Sequence, residues 1–440
     1  MNRSIIPPLI ELEHSLLELA DTYGLYASIY WLTKQQQHFR WSNGAFRGRS
    51  TLSLGQLMIT LQNDRGYVGQ ALTENLTLSG AETAFHRARR ALRDHPSLSS
   101  CIAQLSRQER RFPPLIEETS SQRDEYLFPY IVPSEKQHQK WAAVVAPHSL
   151  DTFLQISQEN CRCIRSDGAS HQAAIWRVIG VHRASNPSGK DLLCKAGFTA
   201  SQLSAAAVQT LHAEMERQLD QLEKSLHFSA GDRLFAPTAA PVWLRPQTGC
   251  IIDSRLTAHL LAAAVQSQVP MPSSAIEATV ETVEGSGNYQ PIHPFGYLLT
   301  PTQLSLPSEL HTLLYGLSQP EPLPIHLSVR FKSGDQAHSS DRQTIARQIQ
   351  QSAPSHDGEL LFFEGMELFD FDRETAVAYF SPQKITRWSN CGECRIVPPQ
   401  LFAVELSSLL PRLAGFGSTV TIWLNEPDWT VSVPLWTWIR

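Results

Sequence analysis

Apolar residues first recur at helical spacing near the start of the chain. Leu9, Leu12, Leu16, Leu19 and Ala20 fall on one side, with Glu11, Glu13 and Glu18 on the other. The spacing predicts a helix over 9–23, closed by Gly24 as a C-cap glycine. From Tyr26 the pattern changes. Residues 26–32 are aromatic and β-branched, 37–41 alternate, and Ser42-Asn43-Gly44 supplies a turn that tolerates positive φ. Residues 51–62 and 66–72 read as two more strands around the loop Asn63-Asp64-Arg65-Gly66. A helix follows, with Ser79 as N-cap and Ala81, Ala84, Phe85, Ala88, Ala91 and Leu92 on its apolar side. This first, sandwich-like unit reads helix, antiparallel meander, helix. A polar, proline-bearing stretch over 112–125 sets its end near residue 118.

The second unit covers 119–232. Ser149 or Asp151 is expected to start a short helix. Cys161–Arg165 is read as a strand, Ser166-Asp167-Gly168 as a turn and 171–182 as a return strand. The longest periodic run opens at Thr199 and lasts to about His227. Its seam is Val208, Leu211, Met215, Leu219, Leu222 and Leu226. The third unit, 233–440, begins with a short buried strand at Pro241-Val242-Trp243-Leu244 and an apolar helix over 254–266. Residues 269–324 are irregular and proline-rich. Strands are predicted at 326–331, 360–363 and 375–380, a polar helical piece at 347–352, a last helix at 404–414 and a closing strand at 418–424. Trp423, Trp429, Trp436 and Trp438, interleaved with Val431, Val433 and Leu435, predict an edge hairpin that packs on a partner or on the body. The fold class is therefore α+β: an N-terminal helix–meander–helix unit, a middle strand–helix unit and a C-terminal mixed-sheet domain.

Composition narrows the function classes. The chain has 440 residues, enough for several cores, and a formal net charge of −5, so no basic excess points to nucleic acid. Seven irregularly spaced cysteines do not form a disulfide framework. The first residues lack the apolar run of a signal peptide, and no window approaches the length of a spanning helix. A cytoplasmic protein with no membrane contact is the expectation.

The candidate chemistry is sparse. The chain has no GxSxG, GxxxxGK[ST] or GxGxxG. Cys391-Gly392-Glu393-Cys394 is a lone CxxC without a second pair, and reads as a buried or turn pair. Cys161 and Cys163 alternate on a strand and read as core. His212 and Glu216 lie one helical turn apart, with no second histidine in register, and read as a solvated helix face. Asp370, Asp372 and Glu374 would suit a hard cation, but a turn explains them as well.

Three stretches together resemble the TldD/PmbA family, the modulator-of-gyrase proteins. They are the meander with Gly66-Tyr67-Val68-Gly69 and its alanine-rich helix, then Ser166-Asp167-Gly168 with the long helix and Pro241–Pro246. The third runs from Gly365 to Thr375, through Asn390–Cys394, and on to 406–417. The resemblance implies paired subunits that cleave extended peptides. One of the pair carries zinc on a His-Glu-x-x-x-His helix, with a cysteine as third ligand. At the corresponding stretch this chain has Ile252-Asp253, and Thr257 stands near the second ligand position. No cysteine lies near His326. The resemblance thus implies a metal-free TldE/PmbA-like subunit with no catalytic residues and no cofactor. Its partners would be a TldD-type subunit or a homo-oligomer, together with an extended peptide held by strand addition. Two rival readings stay open. One is an active zinc peptidase with divergent ligands drawn from Asp253, His259, His293 and His326. The other is a stand-alone peptide-binding or scaffold protein. Asp253 and His259 are six residues apart, about 600° around a helix, so they do not share a face.

Overall fold

The structure is a computed structural model. It describes residues 6–94, 102, 131–185, 191–201, 203–229, 241–244, 249–267, 269, 276–281, 292–293, 295–297, 302–303, 326–331, 342–352, 360–366, 368–388, 394–397, 401–424 and 429–439.

Helix α1 (Ile6–Thr22) buries Leu12, Leu16 and Ala20 and stops before Gly24, whose φ is +62°. Strands β1 (Tyr26–Ser42), β2 (Ala45–Gln62) and β3 (Val68–Thr73) form the meander. The two pieces expected at 26–32 and 37–41 are one strand. Lys34 to Gln37 are paired by β2, and on the other side by a later strand, so backbone hydrogen bonds carry the polar stretch. Helix α2 (Leu78–Arg90) is capped by Thr77, not Ser79; the Thr77 side chain accepts from Gly80 N. It lies so close to β3 that a Cβ on Gly69 would strike the Ala88 carbonyl oxygen.

The second unit starts with α3 (Glu135–Val144), capped by Ser134. Ser149 and Asp151 then open strand β4 (Ser149–Arg165) instead of a helix. The period-two burial of Leu150, Thr152, Leu154 and Ile156 decides for strand. Strands β5 (Ser170–Ser185) and β6 (Asp191–Ala200) follow, so Thr199 and Ala200 end a strand, and α4 begins at Ala205 (Ala205–Ser229). Its seam residues Val208, Leu211, Met215, Leu219 and Leu222 are buried, while the Leu226 side chain lies outside the described residues. Strand β4 pairs with β1 from Ser28↔Arg165 to Ser42↔Asp151. The first two units therefore share one six-stranded sheet, β3-β2-β1-β4-β5-β6, that crosses residue 118. In place of a sandwich, helices cover one face. Ile29 and Trp31 lie under α1 and α2, and Phe39 and Trp41 pack with α3 and α4. All four are odd-numbered residues of β1 and share a face.

The third unit holds β7 (Val242–Trp243), β8 (Cys250–Asp253), α5 (Ser254–Gln266), β9 (Ile276–Glu281), β10 (Thr302–Gln303) and β11 (His326–Phe331). Next come α6 (Arg342–Ser352), β12 (Leu360–Glu364), β13 (Leu368–Asp372), β14 (Val377–Ser381), β15 (Lys384–Trp388) and β16 (Cys394–Val397). The chain finishes with β17 (Phe402–Glu405), α7 (Leu406–Leu409), β18 (Leu413–Trp423) and β19 (Thr430–Ile439). The helix expected over 404–414 is one α turn followed by a 3-10 turn over Leu410–Arg412, because Pro411 has no N–H to continue the α ladder. Val242 and Trp243 are 44% and 54% exposed, not buried, because β7 is an edge strand, joined only to β17 in the sheet β13-β14-β17-β7. Strand β19 is not an edge. It pairs with β18 along one side and with β11 and then β8 along the other, at the centre of a mixed sheet. Trp429, Val431, Val433 and Ile439 are accordingly buried.

Candidate functional site

The stretch that the resemblance singles out is the junction of β8 and α5. Cys250, Ile251 and Ile252 are apolar and fully buried, as a strand between β19 and β12 requires. Asp253 then leaves the strand and caps α5. Its Oδ1 accepts from Leu256 N at 2.9 Å, and its Oδ2 accepts from Gly365 N at 2.7 Å. Burial pushes the Asp253 carboxyl above its ordinary range, against the pull of these backbone donors. Thr257 donates its hydroxyl to the Asp253 carbonyl at 2.8 Å and is buried. Asp253 therefore ties the start of α5 to the β12–β13 corner, where Gly365 has a φ of +62°.

This junction does not fit a zinc ion. Ile252 lies in the strand, so position 252 shares no helical face with Thr257. Helix α5 carries one histidine and no cysteine, glutamate or aspartate. The positions one turn from His259 are Arg255, Leu256, Ala262 and Ala263, none of which ligates zinc. His259 packs its ring against Phe369, centroids 5.0 Å apart, and burial pushes its pKa down to about 3.

The other candidates lie elsewhere. His326 sits in β11 with Nδ1 2.9 Å from Thr430 Oγ1 and Nε2 3.1 Å from Ser432 Oγ, both on β19. Asp253 aligns with Trp436 on the same strand, six residues from Thr430, which puts Asp253 and His326 about 20 Å apart along β19. His293 is buried in a turn, its Nδ1 accepting from Phe295 N at 3.0 Å. That turn docks on the first sheet. Arg165 donates to Gly296 O at 3.2 Å, and its guanidinium stacks 4.4 Å from the Tyr297 ring centre. The structure does not bring these residues together around one point. Among the described residues no group of three or more His, Cys, Asp or Glu side chains is placed to hold a metal ion.

The remaining motifs have structural partners. Asp372 accepts from Glu374 N and from Thr375 Oγ1, closing the β13–β14 turn. His212 and Glu216 stand on a half-exposed face of α4 that meets α3 and the residues before it. His212 Nε2 lies 3.1 Å from Ile131 O, and Glu216 accepts from Gln137 Nε2 at 2.6 Å. Cys161 and Cys163 are buried, and desolvation pushes the Cys161 thiol up to about 12. Cys391, Gly392 and Glu393 lie outside the described residues, as does the Cys394 side chain. Sequence reasoning missed the Arg165–Asp167 pair, in which Arg165 donates through Nε and Nη2 to both carboxylate oxygens at 3.1 and 2.9 Å. Arg-Ser-Asp-Gly at a strand end was its only signal.

The fold defines an α+β protein built on a helix-covered six-stranded sheet and a mixed sheet centred on its last strand. No family model matches the chain, and neither does any curated protein. Solved structures do. TldE from Thermococcus kodakarensis superposes with a TM-score of 0.59 at 10% identity, over 98% of each chain. A candidate modulator of a DNA gyrase from Thermotoga maritima MSB8 gives 0.55 at 12% identity over 98% of each chain. Another, from Bacteroides thetaiotaomicron VPI-5482, gives 0.54 at 11%, over 99% of this chain and 98% of that one. This chain thus has the fold of TldE and the gyrase-modulator proteins from end to end. Among the described residues no helix is long and apolar enough to cross a membrane.

Proposed function

We propose that the chain is a TldD/PmbA-type protein of the TldE-like kind, a subunit without its own zinc that completes the peptide chamber of a zinc-bearing TldD-type partner. One observation carries this reading. At the β8–α5 junction of a TldE-like fold, Ile252 is core, Asp253 is a helix cap and Thr257 is bonded to backbone. These groups are committed to holding the chain and leave no open coordination position. The chain would hold an extended peptide by strand addition and shape the partner's site, in the cytoplasm. The domains would divide at 1–118, 119–232 and 233–440, with the first two joined by their common sheet.

Metal analysis and a pull-down test the proposal together. The purified chain should carry far less than one zinc and should capture a TldD-type subunit. Stoichiometric zinc, lost with peptidase activity in Asp253→Ala or His259→Ala, would overturn it. A chain that ignores such a partner would be a stand-alone binding protein instead.

A further inference from the structure

The first sheet and the C-terminal unit are fastened to each other at two separate places. One is β6, the outer strand of that sheet. Its Lys195 donates to Leu424 O at 3.1 Å, and its Leu193 O accepts from Arg255 of α5 at 2.8 Å. Trp423 lies against the same strand, where a Cβ on Gly197 would meet the indole at 3.0 Å. The other place is the turn of His293, Gly296 and Tyr297, which docks at β1 and β4. Ser28, Tyr30, Cys161 and Cys163 belong to the sheet face opposite the helices, since Tyr30 aligns with Cys163 and its neighbours Ile29 and Trp31 lie under α1 and α2. On that face Tyr30, Met58, Cys161, Cys163, Ala173 and Ile175 form a small cluster, and among the described residues Ile292 alone joins it from the C-terminal unit.

The turn is fitted to the sheet, not built into it. It is no strand of that sheet. Gly296 has a φ of +87°, and a Cβ there would strike Ser28 Oγ and Cys163 Sγ, so only glycine lets the backbone sit in the notch between them. Arg165 holds the turn from the side through Gly296 O and the Tyr297 ring, while Asp167 fixes the guanidinium. None of the three large cores includes a residue of the turn. Such a contact opens locally at less cost than the cores it leaves intact. We infer that the turn is a clasp. Its release parts the C-terminal unit from the first sheet at this end and uncovers Cys161 and Cys163, while the β6 fastening and the cores hold. The inference is independent of the proposed zinc-bearing partner.

Labelling of the full chain with iodoacetamide, mapped by mass spectrometry, tests it. Cys161, Cys163, Cys194 and Cys250 are all buried free thiols. Burial pushes the Cys161 thiol up to about 12, so at neutral pH the reagent reaches it only through an opening. Cys194, on β6, and Cys250 lie in the large cores and report their unfolding. In low urea the parent chain should label Cys161 and Cys163 before Cys194 and Cys250. Arg165→Met removes the charged hydrogen bond to Gly296 O and should speed labelling of Cys161 and Cys163 about tenfold, with Cys194 and Cys250 unchanged. Gly296→Ala should act in the same direction by filling the notch. Labelling of all four thiols together in the parent chain would make the turn part of the cooperative fold and overturn the inference. Labelling of Cys161 and Cys163 at the parent rate in Arg165→Met would overturn it as well.

Discussion

Replacing Asp253 by alanine distinguishes a structural carboxylate from a catalytic one. The substitution removes two acceptors at once. Loss of the cap on Leu256 N costs about 1 kcal/mol. The Gly365 N–H, at a corner held with φ near +62°, loses its 2.7 Å partner and costs a further ~1–3 kcal/mol. The total is about 2–4 kcal/mol. Asp253→Asn keeps one acceptor for the helix but must turn its amide nitrogen toward Gly365 N or lose that contact, so it should cost roughly half as much. Urea unfolding followed by tryptophan fluorescence reports the change, because Trp436 and Trp438 lie in the strand that Asp253 pairs with. Equal stability of wild type and Asp253→Ala would refute the structural assignment. So would loss of an intrinsic peptidase activity at unchanged stability.

Three further outcomes follow from the same geometry. His326→Ala should cost about 2–4 kcal/mol in unfolding experiments, because the Thr430 and Ser432 hydroxyls lose a buried partner, and it should leave metal content unchanged. Acidification should destabilise the fold from about pH 6.5 downward. Burial holds His138, His182 and His259 at about 4, 3 and 3, below their unfolded value, so the stability they confer is complete above 6.5 and is lost as pH falls toward those values. His138→Phe keeps the stacking on Trp41 and should flatten that acid limb in thermal melts. Gly69→Ala should cost about 1–3 kcal/mol by overpacking, seen as a lower Tm, since its Cβ would meet the Ala88 carbonyl oxygen.

Periodicity carried much of the fold. Helix α5 ends where its apolar run ends, β5 returns after the Ser166-Asp167-Gly168 turn as expected, and β11 spans the buried strand expected over 326–331. The failures have physical causes. Lys34 to Gln37 read as a break because their polarity conceals pairing on both sides of β1. Strand β4 read as a helix start because Ser149 and Asp151 are also good caps. The tryptophan-rich end read as an edge because sequence gives composition but not neighbours, and only long-range pairing with β8 and β11 makes β19 central. At the candidate site, Asp253 as a cap was legible from its place before an apolar helix. The Gly365 contact, 112 residues away, was not.

Native mass spectrometry of the chain co-expressed with a zinc-bearing TldD-type subunit tests the central proposal most directly. An equimolar complex with one zinc for each pair of chains is expected, and none on this chain when it is released. Zinc retained by this chain alone, or no complex at all, would contradict it.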